Sequence, residues 1–393
     1  MDTERLKETW NDVTQHGDSV GLYFYSHLFL THPEVREMFP LTMDAQRDRL
    51  VGALGRVVSN VDQLDDVVPY IQQLGRDHRR FAVVAEHYDA VGASLLWTLQ
   101  HFLGDKWTTE VARDWADAYN LVAATMVGAA EAAEETEPPW WDGEIVQATR
   151  ISREVSIIQV QPESPLPYRA GQSMALTIPQ APRVWRYFTP ANGPRADGRM
   201  EFHVSLVPGG LVSRPLVSSA QVGDQVRLGA PVGTKLAIDP EGSSDLLLVA
   251  GSTGITPFLA LLDEIEAAWN AGRTIRRVHL VHGARFSWGL YAGARLRHFD
   301  QYPWFTVTEA VSDDPTYPGP RGPVGDVAAS ITMPGSYDAL LCGSPAMVSH
   351  TMAALEQSPK PPDSISVEEF STTAELPSNE PTAGEPATIG GLP

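Results

Sequence analysis

The pattern of apolar residues changes once along the 393-residue chain, and this change limits the folds that the chain can adopt. Up to about residue 135, glycine and proline are sparse inside long segments and strand-like alternation is missing, which predicts helices. An acidic stretch that ends at Pro138-Pro139 follows and predicts a joint between domains. Beyond it, short alternating runs separated by Gly, Pro and Asn predict strands.

Composition excludes several classes of protein. Hydrophobic residues make up 43% of the chain, which is enough for packed cores. The net charge of −20 argues against binding to nucleic acid or to anionic membranes, because both require basic patches. The single cysteine, Cys342, excludes an internal disulfide and fits a reducing compartment. No run approaches the ~18 apolar residues of a membrane helix, and Met1–Glu4 lacks the features of a signal peptide. We therefore expect a cytoplasmic protein, and separately we expect a monomer.

The first region contains helical segments with short joints between them. Leu6, Trp10, Val13 and Thr14 mark one face of the first helix. The remaining predicted helices cover residues 19–31, 42–60, 64–79, 86–103 and 109–135, and Pro33 can begin a further one. About seven helices in this length fit a globin-like packing around one pocket.

Five residues of this region are candidates for that pocket. Tyr25 lies in the middle of an apolar helix, and Phe39 precedes a proline. Gln46 and Leu50 are four residues apart and share a helix face. Tyrosine and glutamine are donors suited to bound dioxygen. His78 ends a helix, and a neutral imidazole is the usual fifth ligand of globin iron, although a histidine beside two arginines is more often a surface residue.

The middle region predicts a small antiparallel barrel with a flavin site. Its predicted strands are residues 145–149, 155–161, 173–178, 200–207 and 225–229. In Arg186-Tyr187-Phe188-Thr189, the arginine can bind a pyrophosphate with two hydrogen bonds. Phe188 offers a flat ring to the flavin, and Thr189 can hydrogen-bond a flavin nitrogen. The alternative is an ordinary edge strand with an exposed arginine.

The last region predicts a nucleotide-binding α/β layer. Residues 245–250 form a buried parallel strand. The glycine turn Gly251–Pro257 follows and opens a helix to about Ala271, which would place backbone amides beside a phosphate. Further predicted strands lie at residues 278–282, 305–310 and 339–341.

The helical region resembles the globin domain of flavohemoglobins. The resemblance rests on Tyr23–Ser26 through Met38-Phe39, on His78 with the helix around Tyr88, and on Trp115–Tyr119. It implies heme b with His78 as the proximal iron ligand and Tyr88 behind it. It also implies a distal wall of Tyr25, Gln46 and Leu50, with Phe39 packed on the heme.

One position departs from the family pattern. Flavohemoglobins keep a glutamate on the last globin helix that hydrogen-bonds the proximal histidine. Counting thirteen residues from Tyr119, as the pattern does, leads to Ala132. A carboxylate partner makes imidazole a stronger donor to iron, so we expect either a substitute partner or altered heme chemistry.

The middle region resembles the FAD barrel of ferredoxin-reductase-type modules. Tyr168–Gln172 resembles its glycine-glutamine turn, and Arg186–Thr189 its Arg-x-Tyr-Ser motif, with Phe188 and Thr189 in place of tyrosine and serine. Gly209–Ser213 resembles the Gly-x-x-Ser segment, which implies that Gly210, Val212 and Ser213 cap the FAD phosphates. Gly229–Gly233 resembles the closing turn.

The last region resembles the nicotinamide domain of the same modules. The loop with Gly251, Thr253, Gly254, Thr256 and Pro257 implies binding of NADH or NADPH. The resemblance places Cys342-Gly343 near the nicotinamide, with a plain buried thiol as the alternative. It gives Phe370 the role of the aromatic that shields the flavin. Arg285 is a candidate for reading an adenosine 2′-phosphate, but one arginine does not separate NADH from NADPH.

Together these patterns predict a multi-domain α+β protein. We expect an all-α globin (1–136), an antiparallel FAD-binding β-barrel (142–240), an α/β NAD(P)-binding domain (241–371) and a disordered acidic tail (372–393). The resemblance implies a nitric oxide dioxygenase, an oxidoreductase for nitric oxide detoxification with O2 and NO as its small-molecule partners. The alternatives are a heme-linked NAD(P)H oxidoreductase with another acceptor and a non-enzymatic oxygen or redox sensor.

Overall fold

The structure, a computed structural model, describes residues 1–273 and 275–370. The predicted acidic tail lies outside the described residues. The described chain forms two compact units. One holds Met1–Trp141 together with Ala181–Val184, and the other holds Asp142–Gln180 and the chain from Trp185 onward.

The first unit is all helical, as predicted. Its α-helices are α1 (Thr3–Thr14), α2 (Ser19–Thr31), α3 (Asp44–Ser59), α4 (Leu64–His78), α5 (Ala85–Leu103) and α6 (Thr109–Glu134). Short 3-10 turns occupy Pro33–Met38, Arg79–Phe81 and Gly104–Lys106. The segment at Pro33 is therefore a 3-10 turn and not an α-helix.

Side-chain caps and one partly buried ion pair explain how the outer helices start and pack. Asp2 accepts a hydrogen bond from the amide of Arg5 at the start of α1, and Thr108 accepts one from Val111 at the start of α6. Arg5 Nε lies 2.8 Å from Asp114 Oδ2, and Asp114 is buried. Because both partners are hydrogen-bonded, this pair fixes α1 against α6.

Among the described side chains of the helical unit, the buried apolar residues form two clusters. The larger contains Tyr25 and Leu99, with Phe39 and Leu50 packed against it while partly exposed. The smaller lies between α4 and α6, and Tyr88 packs against it. Two clusters with partly exposed apolar side chains fit a unit that is built around an opening.

The second unit begins with a nearly closed antiparallel barrel, which confirms the predicted architecture. Its strands are β1 (Trp141–Arg150), β2 (Val155–Pro162), β3 (Ser173–Thr177), β4 (Arg186–Phe188), β5 (Met200–Ser205) and β6 (Gln225–Val232). They are ordered β4-β3-β6-β1-β2-β5, and one short helix, α7 (Ser213–Ser218), lies between β5 and β6. Gly171 has a φ of +85° in the turn before β3, and a Cβ there would lie 2.3 Å from the Leu236 oxygen. Only glycine fits that turn.

A parallel sheet with helices completes the second unit. Its strands are β7 (Asp245–Gly251), β8 (Val278–Ala284), β9 (Phe305–Val311), β10 (Tyr337–Gly343) and β11 (Ser364–Glu369), in the order β11-β10-β7-β8-β9. The helices are α8 (Thr256–Asn270), α9 (Gly293–Phe299), α10 (Val324–Ala329) and α11 (Pro345–Glu356). Leu246–Ala250 are fully buried, as expected for the central strand of such a layer.

The nucleotide loop differs from the sequence prediction in one detail. Gly251 belongs to β7, because it pairs with Gly283 of β8, and the turn itself begins at Ser252. A 3-10 turn, Ser252–Ile255, then precedes α8.

None of the helices among the described residues is both long enough and apolar enough to cross a membrane.

Close contact between α4 and α6 generates a testable prediction. A Cβ on Gly75 would lie 2.2 Å from the carbonyl oxygen of Met126, so Gly75→Ala must push the two helices apart. We expect a loss of about 1–3 kcal/mol in the free energy of unfolding of the helical unit. Thermal unfolding followed by helical circular dichroism measures this loss.

The matched control is Gly52→Ala in α3, where a Cβ meets nothing within 4 Å. This substitution should leave stability unchanged or raise it by up to about 1 kcal/mol. Equal melting temperatures for the two variants would show that α4 and α6 are not in close contact.

Candidate functional site

Tyr25 and Gln46 lie together, as the sequence predicted. The Nε2 atom of Gln46 donates to the hydroxyl oxygen of Tyr25 over 3.3 Å. Tyr25 is buried, and burial raises its pKa to about 12. The phenol therefore stays protonated at physiological pH. Because its oxygen accepts from Gln46, its proton remains available for a weak 3.5 Å contact to the Gln46 carbonyl or for a ligand.

Arg49 was not singled out from the sequence, but it completes this group. Its Nη1 donates to Gln46 Oε1 over 3.2 Å. Arginine has only donors, so the amide must turn its oxygen to Arg49 and its nitrogen to Tyr25. Arg49 lies three residues after Gln46 on the same helix face, and this spacing could have identified it.

Aromatic rings surround Tyr25. The ring of Phe39 lies 5.4 Å from that of Tyr25 and 5.3 Å from that of Phe29, both edge to face. Leu50 packs against the same cluster. Phe39, Gln46 and Leu50 all keep part of their surface accessible, so the cluster is partly open to solvent beside Tyr25.

His78 is held in one tautomer at the end of α4. Its Nδ1 lies 2.6 Å from the carbonyl oxygen of Leu74, which can only accept, so Nδ1 carries the proton. Burial lowers the pKa of His78, although the bond to Leu74 opposes this shift. The imidazole is therefore neutral, and its Nε2 lone pair can bind a metal.

The partner of His78 is a main-chain carbonyl and not a carboxylate. Ala132 is exposed near the end of α6, whereas the next residue, Ala133, is buried. Tyr88 packs in the α4–α6 cluster, and burial raises its pKa to about 12. The hydroxyl of Tyr119 donates to the Tyr88 carbonyl over 2.5 Å and fixes the start of α5.

In the second unit, the predicted flavin-contacting residues occupy strand β4. Arg186 and Phe188 are partly exposed and pair with Leu176 and Met174 of β3. Thr189 follows and is buried. The aromatic ring and the guanidinium therefore lie on one short strand, next to a buried hydroxyl.

The predicted phosphate-capping segment leads into α7. Gly209 has a φ of +73°, and a Cβ on Gly210 would lie 2.4 Å from Ser213 Oγ. Ser213 Oγ accepts from the Val207 amide over 3.2 Å, and Val212 is buried. The Ser213 side chain is thus used to close the turn. A phosphate at this segment would therefore be bound by backbone amides.

Glu368 is a second residue that was not singled out from the sequence. Its Oε1 lies within 3.5 Å of Thr189 Oγ1, at the point where β11 meets the barrel. Burial raises the pKa of Glu368 to about 7, while the nearby hydroxyl groups of Ser173 and Thr189 oppose the shift. A carboxyl that titrates near neutral pH beside the predicted flavin site is a candidate proton donor or acceptor.

The nucleotide loop is held by close backbone packing. A Cβ on Gly254 would lie 2.2 Å from the Cys342 carbonyl oxygen, so only glycine fits there. Thr256 Oγ1 donates to the carbonyl of Thr253 over 3.1 Å, and Pro257 occupies the first turn of α8. Together with Gly251 at the end of β7, these residues place the loop at the carboxyl edge of the sheet, where such folds bind ligands.

Cys342, Gly343 and Phe370 lie at the same edge. Cys342 is fully buried, and burial raises the pKa of its thiol well above the usual range, so it is not a thiolate. The amide of Phe370 donates to the Gly343 carbonyl over 2.8 Å. Phe370 also packs, partly exposed, against the cluster that contains Cys342.

Arg285 lies on the surface after β8. Its side chain is 79% exposed, and its Nε lies 2.8 Å from Asp313 Oδ2. The Asp313 carboxylate offsets the positive charge of Arg285, which a 2′-phosphate would need for binding.

The residues present fit the three cofactors predicted. The neutral imidazole of His78 is bonded to Leu74, which packs on one apolar cluster of the helical unit, and the protonated phenol of Tyr25 lies in the other cluster. This arrangement suits a flat iron porphyrin. The partly exposed ring of Phe188 beside Thr189 suits a flavin. Gly254, with no room for a Cβ, suits a nucleotide phosphate that approaches the backbone.

Comparison with protein families divides the chain in the same order. Residues 22–126 match the globin family, residues 142–236 match the oxidoreductase FAD-binding domain, and residues 248–353 match the oxidoreductase NAD-binding domain. The predicted cofactor classes, a heme, FAD and a nicotinamide nucleotide, are confirmed by these three matches.

Individual relatives agree with this division. A flavohemoprotein of Bacillus subtilis is 29% identical over 297 residues, which is 72% of this chain and 73% of the relative. A crystal structure of flavohemoglobin from Malassezia yamatoensis, with bound FAD and heme, covers 94% of this chain and 98% of its own with a TM-score of 0.76 at 18% identity. The FAD/NAD-binding domain of nitric oxide dioxygenase from Vibrio cholerae covers 58% of this chain and 98% of its own, with a TM-score of 0.51 at 18% identity.

These observations define a class, a globin joined to an FAD- and NAD-binding oxidoreductase module. Over most of its length the chain is similar to flavohemoproteins.

The position of Glu368 predicts how stability depends on pH. Its folded pKa of about 7 exceeds the ordinary value of 4.5, so the stability that this group contributes is complete below about pH 4.5 and is lost as the pH rises through 7. Glu368→Gln removes that loss. Because the residue is partly exposed, solvent screens the carboxylate, and we expect a gain of only about 1 kcal/mol at pH 8 that vanishes near pH 5.

Thermal unfolding of the cofactor-loaded protein at the two pH values measures this gain. The control is Glu369→Gln at the exposed neighbouring position. A gain for Glu368→Gln that does not change between pH 5 and pH 8 would contradict the assignment.

Proposed function

We propose that this chain is a nitric oxide dioxygenase. It takes electrons from NADH or NADPH, passes them through FAD to heme b, and oxidises nitric oxide with dioxygen to nitrate. The observation that carries the proposal is the pair of Tyr25 and Gln46, 3.3 Å apart in a chain that also has FAD- and NAD-binding modules. The similar reductase domain from Vibrio cholerae, itself from a nitric oxide dioxygenase, supports it.

The electron count of this reaction balances. Each NADH gives up two electrons and a proton, and two nitric oxide and two dioxygen molecules take up those electrons to form two nitrate ions. FAD, when bound, converts two-electron donation into one-electron steps. Heme, when bound, supplies a one-electron iron couple and a coordination position for dioxygen.

The residues of the helical unit have distinct roles in the proposal. His78 keeps Nε2 unprotonated for iron through its bond to Leu74. Tyr25 donates its proton to a ligand and does not ionise, because its pKa is about 12. Gln46 holds the Tyr25 hydroxyl, and Phe39 and Leu50 keep water out of the opening.

The residues of the second unit bind and orient FAD and the nicotinamide. Arg186 binds the FAD pyrophosphate, and Phe188 and Thr189 contact the flavin ring. The backbone amides of Gly210, Val212 and Ser213 cap the phosphates. Gly251, Thr253, Gly254, Thr256 and Pro257 bind the nucleotide, with Cys342 and Gly343 beside the nicotinamide. Phe370 covers the flavin until the nicotinamide displaces it.

One observation favours a second candidate, a heme-linked oxidoreductase with another acceptor. The partner of His78 is the neutral carbonyl of Leu74, which strengthens the imidazole as an electron donor less than a carboxylate would. A weaker donor suits electron transfer out of the heme better than oxygen chemistry on it.

Nitric oxide consumption separates the two candidates. The purified full chain, loaded with both cofactors, is supplied with NADH, dioxygen and nitric oxide while nitrate is measured. The dioxygenase consumes two nitric oxide molecules and forms two nitrate ions for each NADH. Reduction of flavin and heme without nitrate would contradict it and support the second candidate.

The variant His78→Ala tests the ligand assignment within the same assay. It should lose the Soret band and nitric oxide consumption but keep flavin absorbance and reduction of ferricyanide by NADH. A normal heme spectrum in this variant would show that another residue binds the iron.

Arg49 generates a separate prediction about the distal group. In Arg49→Leu the Gln46 amide loses the contact that orients it and can turn its oxygen to Tyr25, which would then donate to Gln46 and not to a ligand. We expect dioxygen to dissociate from the reduced protein roughly tenfold faster, as for the loss of one hydrogen bond. Stopped-flow measurement of dioxygen dissociation checks this.

Arg49→Lys keeps a donor and should restore most of the effect. The control is Arg47→Leu on the same helix, where Arg47 pairs with Asp44 and not with Gln46. Equal dissociation rates in Arg49→Leu and Arg47→Leu would refute the role of Arg49.

A further inference from the structure

Ser252, the first residue of the nucleotide loop, has an unfavourable backbone conformation. Its φ is +52°, and among the described residues only one other non-glycine residue, Ala82, has a positive φ. Side chains with a Cβ are disfavoured in this region, whereas glycine adopts it freely. The Ser252 side chain is exposed, so the interaction that holds this conformation must act on the main chain.

His282 supplies such an interaction. It lies on β8, next to Ala250 of β7, and it is fully buried. Its Nε2 lies 3.0 Å from the carbonyl oxygen of Ser252. Since a carbonyl oxygen can only accept, Nε2 carries the proton and Nδ1 is the bare nitrogen.

Among the described residues, the bond from Nε2 to the Ser252 carbonyl is the one hydrogen bond that the His282 ring makes. Within the described part of the chain, Nδ1 is buried and has no hydrogen-bond partner. The nearest aromatic neighbour, Tyr291, has its ring 6.3 Å away, and its hydroxyl is engaged by His203 Nδ1 at 2.9 Å. Burial lowers the pKa of His282 to about 4, so the ring is neutral at physiological pH.

The loop is thus fixed at two points on opposite sides. Gly254 packs directly on the Cys342 carbonyl of β10, and the Ser252 carbonyl is tied to β8. Between these points, the peptide groups of Ser252, Thr253 and Gly254 form the 3-10 turn that leads into α8. The direction of the Ser252 carbonyl therefore sets the direction of the amides that follow it.

We propose that His282 is a positioning residue for the nicotinamide dinucleotide. It holds Ser252 in its left-handed conformation so that the loop presents its amides to the dinucleotide phosphates before the ligand arrives. His282 acts through the loop and does not touch the ligand. The inference rests on the nicotinamide-to-flavin half of the proposed function and is independent of the chemistry at the heme.

A double-mutant cycle tests the proposal, because glycine at position 252 needs no support. The four proteins are the original chain, His282→Leu, Ser252→Gly and the double variant, each loaded with FAD. Anaerobic stopped-flow reduction of the flavin gives the Kd for NADH and the limiting rate separately. His282→Leu should raise the Kd about tenfold and change the limiting rate less than about threefold.

In the Ser252→Gly background the same change at His282 should raise the Kd by less than about threefold. A merely structural histidine would give the same loss in both backgrounds, and this result would overturn the proposal. The conservative His282→Gln, which keeps an N–H near the position of Nε2, should bind NADH within about threefold of the original chain. A tenfold weaker Kd in His282→Gln with full flavin content would also overturn it.

Failure of His282→Leu to fold remains informative. If His282→Leu folds only when Ser252→Gly is also present, this result supports the proposal. The Kd comparison is then made with His282→Gln in place of His282→Leu. If neither background folds with leucine, the His282→Gln result decides alone. Failure of the original chain to reduce its flavin with NADH would instead contradict the proposed function, so the two failures are distinguishable.

Discussion

A neutral histidine that donates a hydrogen bond to a main-chain carbonyl oxygen occurs in each of the two units. Burial of the ring makes this arrangement possible. His78 donates to Leu74 in the helical unit, and His282 donates to Ser252 beside the parallel sheet. In each case desolvation keeps the ring uncharged, and the carbonyl decides which nitrogen holds the proton. A charged imidazole in either place would have two donors and no lone pair, and His78 could then not bind iron in the way proposed.

Two glycines allow main-chain segments to come into close contact next to the candidate sites. Gly75 brings α4 against α6, and Gly254 brings the nucleotide loop against β10. These contacts set the position of His78 at the end of α4 and of the loop before α8. The geometry of the sites therefore depends on packing between elements more than on the flexible side chains that line them.

The spacing of apolar residues was sufficient to predict the helices and strands, because long amphipathic helices and buried parallel strands leave strong patterns in the sequence. Helix α2 agrees with its predicted range, and the strands agree within a few residues. A helical segment does begin at Pro33, as expected, and its six residues form a 3-10 helix. Arg49, Glu368 and His282 were not singled out, because their importance depends on partners distant in sequence or on burial, which no local pattern records. The predicted roles of the site residues stay predictions.

The exposed ion pair of Arg285 and Asp313 has a consequence for how such a protein can diverge. Both side chains are exposed, whereas a Cβ on Gly254 of the nucleotide loop would collide with the Cys342 carbonyl oxygen. Substitutions at this pair can therefore accumulate without disturbing the close packing of that loop. Related chains can then vary the charge at this surface position while they keep the loop in its closely packed form.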